Sequence, residues 1–231
     1  MEENLREMIA EERMKVPIIT FDMTAYNDDY RSKYSQFDCY YFYKRREAMR
    51  DDEEESKNIN HSEQKIKSAN CYFVIDRTRI EGNESADKSY YAIALLVMTE
   101  SSSFHYQMSY YIGYKKDNYA ILFGTLFVLR KLRDLGITKA GLTWDKSFLE
   151  RFCQGVYDAI DPYHMRVCIE LENIIKEFQH LSIIPDSPGS KKYREYVQGL
   201  CAKRIEKAKQ TKMINEAKYA SDKTANGPLK L

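Results

Sequence analysis

The feature that most limits how this chain can fold is a change of period at Asp117. Before it come three apolar runs of strand length, 71-CYFVIDRT-78, 89-SYYAIALLVM-98 and 104-FHYQMSYYIGY-114. The last two are joined through the serine turn 101–103, short enough for a hairpin, so antiparallel neighbours are expected. After it, 117-DNYAILFGTLFVLRKLRDLGI-137 repeats at helical spacing. Leu122, Leu126, Leu129, Leu132 and Leu135 make one apolar stripe, Asp117 or Asn118 supplies a cap, and Gly136 suits the C′ position. A strand follows at 138–144, a short helix at 146–154 and an irregular stretch with Pro162 at 155–166. Beyond these come a helix at 167–178, a strand at 181–185, the loop 186-DSPGS-190 and a long basic helix from about 191 to 209. A meander followed by alternating helices and strands implies an α/β fold, a mixed sheet with helices packed on it.

The flanks differ in character. Residues 1–70 read as an N-terminal extension: a short charged helix over 1–15, strand-like segments at 16–30 and 37–43, then 44–70 with almost no large apolar side chain. That last stretch cannot bury enough surface to offset its ordering entropy and reads as a charged linker, flexible or an exposed helix. The organised domain is expected over 71–210, with a basic, flexible tail at 211–231. Residues 191–231 hold eleven Lys/Arg and four Asp/Glu, a net of +7; since the whole chain carries +1, residues 1–190 carry −6. A basic end on a mildly acidic body is compatible with phosphate binding, and equally with an ordinary lysine-rich solvated helix.

Five cysteines without a CxxC pair support neither a zinc site nor a disulfide framework, so reduced thiols and an intracellular location, cytoplasm or nucleus, are expected. The charged N-terminus is not a secretory signal, and no apolar run is long enough for a membrane span. Nineteen tyrosines fit half-buried sheet faces. Those at 106, 110, 111 and 114 could alternatively offer stacking surface to bases.

The order of elements resembles the ribonuclease H-like fold: three antiparallel strands, a long helix, a fourth strand, helix, fifth strand and final helix. The resemblance covers about Cys71 to Lys209. CYFVIDRT is similar to the family's first strand, which ends in an aspartate, here Asp76. DNYAILFGTLFVLRKLRDLGI is similar to its first helix, with an Asn near the start and a closing Leu-Gly-Ile. LTWDKSF is similar to its fourth strand with terminal aspartate, here Asp145. Active members hold two divalent metals, Mg or Mn, on four carboxylates and cleave the RNA strand of an RNA–DNA hybrid. Such metals take oxygen ligands and stabilise the attacking and leaving oxygens of an in-line displacement.

The resemblance implies Asp76 and Asp145 as metal and catalytic ligands, side by side on neighbouring strands. It also shows a departure. The register of the first helix puts Ile121 where the family has its glutamate, and Asp117 lies about a turn away. The nearest acid in the final helix is Glu195, and DSPGS lacks the histidine that often assists product release. Taken singly, Asp145 reads as a helix cap, Asp76 as a turn residue and Glu195 as a solvated helix residue.

Three functions remain open. The first is a degenerate, pseudo-enzymatic member that binds RNA or RNA–DNA hybrid, or acts as a scaffold. It would need no cofactor and would use the basic helix residues Lys191, Lys192, Arg194, Lys203, Arg204 and Lys207. The second is an active metal-dependent ribonuclease with a rearranged acidic set. The third is a protein-interaction module that docks a partner through the N-terminal extension.

Overall fold

The computed structural model describes residues 4–17, 54–57, 66–78 and 88–225. The strand-like segments 18–30 and 37–43, and most of the 44–70 linker, lie outside the described residues. The meander forms as its periodicity implies, from β2 (Ser68–Thr78), β3 (Lys88–Thr99) and β4 (Phe104–Lys116). β3 is apolar along nearly its whole length because both of its faces are covered. Tyr91, Ile93, Leu95 and Val97 enter one core, while Ala92, Ala94, Leu96 and Met98 enter another on the opposite side. Gly113, at φ 99, sits beside a register shift between β3 and β4, a backbone conformation that suits glycine at a bulge.

Helix α2 (Asp117–Asp134) starts directly after β4 and lies across the first core. It ends as its Leu-Gly-Ile sequence requires. Gly136 takes φ 79, its N–H reaches the Arg133 carbonyl (2.8 Å), and the Ile137 N–H reaches Leu132 (3.0 Å). Strand β5 (Lys139–Leu142) then pairs parallel with β2, and β6 (His180–Ile183) pairs parallel with β5. Between them run α3 (Lys146–Cys153) and α4 (Pro162–Glu177) on the α2 side of the sheet. The final helix α5 (Pro188–Ala225) alone covers the other side, through Val197, Cys201 and Ile205. Sheet order β4-β3-β2-β5-β6, three antiparallel strands then two parallel ones with helices on both faces, is the mixed five-stranded sheet of the ribonuclease H-like fold.

Four features depart from the sequence reading. A sixth strand, β1 (Glu54–Lys57), comes from within the charged linker and pairs antiparallel with β4. The 155–166 stretch is not wholly irregular, since α4 begins at Pro162. Asp161 caps it, accepting the His164 N–H at 2.8 Å, and proline at N1 gives up no helical hydrogen bond. Helix α5 runs on to Ala225, through the first part of the expected tail. Finally, α1 (Leu5–Met14) is packed on the domain, with Leu5 and Ile9 in the same core as α2 and α4.

Close packing of α2 on β2 depends on one missing side chain. A Cβ on Gly124 would lie 2.7 Å from Cδ1 and 2.9 Å from Cγ1 of Ile75. Gly124→Val is therefore expected to lower stability by about 1–3 kcal/mol through overpacking. Urea unfolding followed by emission of the single tryptophan, Trp144, measures it.

Candidate functional site

The acidic positions sit where the sheet and the two helical layers meet, so the layer each side chain faces decides what it can do. On β2 the sides alternate: Ile75 packs into the α2 core, Val74 into the α5 core. Asp76 shares the side of Val74. It lies within the strand and not in a turn, paired with Ala92 in the ladder, and its Oδ1 accepts the N–H of Arg77 at 2.7 Å. Its neighbour across the layer is Cys201 of α5, whose thiol contacts the Ala92 carbonyl at 3.2 Å. Burial pushes that thiol up to about 12, with the Asp76 N–H and carboxylate beside it.

Asp145 lies beyond the end of β5. Thr143 continues the strand pairing with its side chain, accepting the Phe73 N–H (2.8 Å) and donating to the Phe73 carbonyl (3.1 Å). The chain then turns into α3, and Asp145 caps it, its Oδ1 accepting the Ser147 N–H at 2.8 Å. Its carboxylate is exposed and adds to the rise in the Tyr157 hydroxyl, for which burial is the main cause. The β2–β5 register runs Ser68↔Lys139 to Cys71↔Leu142. Continued, it sets Asp145 level with Val74, two residues short of Asp76, about 7 Å along the strand. The two aspartates thus stand two residues out of step along neighbouring strands, and Val74 is the residue level with Asp145.

The remaining positions do not fill the gap. Ile121 is half-buried against the α2 core, and its carbonyl accepts the Thr125 hydroxyl at 2.8 Å. Asp117, at the first position of α2, is ion-paired with Arg77. The Arg77 guanidinium therefore already balances the Asp117 carboxylate. Glu195 is exposed on α5 and pairs with Lys191 at 3.8 Å; the α5 side chains turned to the sheet are Tyr193, Val197, Cys201 and Ile205. This donor set does not fit a pair of divalent cations, which need several carboxylate oxygens converging on one point. Among the described residues no group of three or more His, Cys, Asp or Glu could share a metal ion.

The basic helix is sorted by the same layering. Arg204 is 7% exposed and lies on the buried stripe with Val197, Cys201 and Ile205. Arg194 is half-buried, donating to the Ile184 carbonyl (3.0 Å) and pairing with Asp186 (3.2 Å). Lys191, Lys192, Lys203 and Lys207 are exposed. Helical geometry divides these four. Lys192, Lys203 and Lys207 fall on one line down the helix, with Tyr196 between, about 22 Å from first to last. Lys191 falls on the neighbouring line with Glu195 and Glu206. Between residues 192 and 207 the charged residues on one line of α5 are all lysines, and those on the next line are mixed. Tyr196 anchors the basic line to the sheet, its hydroxyl donating to Gln107 Oε1 at 2.8 Å. The sequence carried this sorting: Arg204 sits at i+7 from Val197, on the apolar stripe. The Arg77–Asp117 pairing had no comparable signal, because its partners lie 40 positions apart.

No family model matches the chain, and no curated protein matches it in sequence. Solved structures do. Ribonuclease H1 from the halophilic archaeon Halobacterium salinarum is 18% identical at a TM-score of 0.47, over 61% of this chain and 98% of that one. LC11-RNase H1, from a compost metagenome and solved with an RNA/DNA hybrid, is 19% identical at 0.46, over 61% and 98%. The prototype foamy virus protease–reverse transcriptase is 9% identical at 0.45, over 65% of this chain and 22% of that one. All are too distant to assign a role to any residue.

Proposed function

We propose that this protein, built on a ribonuclease H-like fold, holds RNA or RNA–DNA hybrid on the outer side of α5 and does not cleave it. The observation that carries this reading is the line of exposed lysines Lys192, Lys203 and Lys207 down one side of α5, with Glu195 and Glu206 on the adjacent line. Phosphates repeat along a strand, and a row of ammonium groups on a rigid helix can follow them. Asp145 serves as a helix cap and Asp76 as a strand residue bonded to the Arg77 N–H, roles that need no metal. An active ribonuclease would require these two carboxylates to meet, against their register.

The test is a fluorescence-anisotropy titration of a labelled hybrid at several salt concentrations, with Mg²⁺ or Mn²⁺ present and the strands resolved afterwards on a gel. Affinity is expected to fall steeply with salt while the RNA strand stays intact. The triple variant Lys192→Gln, Lys203→Gln, Lys207→Gln is expected to flatten the dependence of log K on log salt by roughly 2–3. Cleavage abolished by Asp145→Asn would overturn the non-cleaving reading in favour of a rearranged metal site. Absence of binding to any nucleic acid would move the function to protein partners.

A further inference from the structure

Helix α1 lies along α4, and the two leave a cleft of about 220 Å³ between them. Buried contacts beneath it hold both walls in place. Leu5 and Ile9 of α1 enter the α2 core, and Arg13 bonds Glu172 of α4 as well as Asp158 and the Phe152 carbonyl. The same contacts set the direction of the cleft. Arg13 and Glu172 mark one end. Arg6, about two turns back on α1, and Lys176, about one turn on along α4, mark the other.

The two ends differ in chemistry. Met14, beside Arg13, lines the first and is 79% exposed. On α4, Ile169 stands one turn before Glu172 on the same face and is 49% exposed. These are the two most exposed large apolar side chains among the described residues, and they flank one cleft, whose floor includes Ile9, Ala10 and Ile175. At the second end, Arg6 and Lys176 have no carboxylate partner among the described residues. Glu172 is taken up by Arg13, and Glu12 lines a different groove, on the far side of α1. By helical geometry Glu7 and Glu11 also fall outside the row Arg6, Ala10, Met14, so the charge turned to the cleft is basic.

An apolar floor suits a nucleic-acid backbone poorly, because phosphates would lose water against Ile9 and Ile175. It suits a helix with one apolar face and acidic side chains beside it. A third helix nests in the groove between two packed ones, and the ten residues of α1 offer about 15 Å of contact. We propose that the α1–α4 cleft docks an acidic amphipathic helix of a partner protein. Its apolar side chains cover Met14 and Ile169, and its carboxylates meet Arg6 and Lys176. This inference goes beyond the nucleic-acid reading and does not depend on it. Helices α1 and α4 pack on the α2 side of the sheet and α5 on the other, so one chain can hold a strand and a partner at once.

The test screens the full chain against phage-displayed helical peptides of about four turns, with leucine fixed at i, i+3, i+4 and i+7 and the other positions random. Selected peptides are expected to be rich in Asp and Glu. Fluorescence anisotropy of the most enriched one then compares wild type with two double variants, each confirmed as folded by circular dichroism. Affinity should fall about three- to tenfold in Arg6→Gln, Lys176→Gln, and about tenfold or more in Met14→Ser, Ile169→Ser. Selection of no peptide, of basic peptides, or of acidic peptides that bind both double variants as tightly as wild type overturns the proposal. Hybrid affinity should be the same in Arg6→Gln, Lys176→Gln as in wild type; a fall there with peptide binding unaltered gives the cleft to nucleic acid and overturns the partner assignment. A dimer in sedimentation that Met14→Ser, Ile169→Ser dissociates overturns it too, since a second copy of the chain then covers the cleft.

Discussion

Arg13→Met is expected to cost about 3–5 kcal/mol of stability, the range for removing one partner from a buried ion pair. Arg13 comes from α1, outside the sequence range of the sheet, yet its guanidinium is 9% exposed. It donates to Asp158 (2.5 and 3.0 Å), to Glu172 and to the Phe152 carbonyl (2.8 Å), and it lies 4.7 Å from the Phe152 ring centroid. Burial alone would lower its pKa, but the hydrogen bonds from Asp158 and Glu172 more than reverse this and hold it charged. Methionine keeps the aliphatic volume and leaves Asp158 buried without a counter-charge. Urea unfolding read by Trp144 emission measures the loss. The double variant Arg13→Met, Asp158→Leu should recover much of it, because the penalty lies in the orphaned carboxylate. A loss below about 0.5 kcal/mol for Arg13→Met would mean that α1 is not docked in solution.

The second large effect is chemical. The Cys201 thiol, pushed up to about 12 from 9.0 mainly by burial, should react with iodoacetamide about a thousandfold more slowly than an unperturbed cysteine at the same pH. The thiolate is the nucleophile, and three pH units separate the two populations. Cys71 is likewise fully buried, with its pKa raised by burial. Such shifts also bear on stability. A thiol whose folded pKa is raised contributes stability that is fully present below about 9 and is lost as pH rises toward the folded value. Mass spectrometry of alkylated peptides, with time and pH, tests both points. Because Cys201 reports docking of α5 against Asp76 and Ala92, fast native labelling there would show the final helix leaving the sheet.

How much of this was legible depends on the kind of interaction. The meander and α2 were readable because burial imposes a period on the sequence: Ile93, Leu95 and Val97 alternate, and Leu122, Leu126, Leu129 and Leu132 repeat at helical spacing. The start of α4 was legible in principle from Asp161-Pro162, a cap followed by proline at N1, but proline was read as a breaker. Strand β1 had no side-chain signal to offer, since Glu54–Lys57 joins the sheet through backbone hydrogen bonds to the edge of β4. In α5 a charge count alone does not say which cations reach solvent. Arg204 is buried and Arg194 is held by Ile184 and Asp186, which leaves the lysines to face solvent.

By itself, then, the sequence determined the fold class, the order of the meander and the elements after it, and the apolar faces. These follow from short-range periodicity and residue chemistry, which need no partner to be read. Only the tertiary structure decided that Asp76 and Asp145 stand two residues out of step, that Arg77 holds Asp117, and that α1 is bolted to the domain through Arg13. It alone brought Arg6 and Met14 of α1 to one cleft with Lys176 of α4. Each of these depends on strand register or on contacts between distant segments. A shift of one residue in register turns a side chain to the other face of a sheet, and no local pattern records which register the assembled core selects.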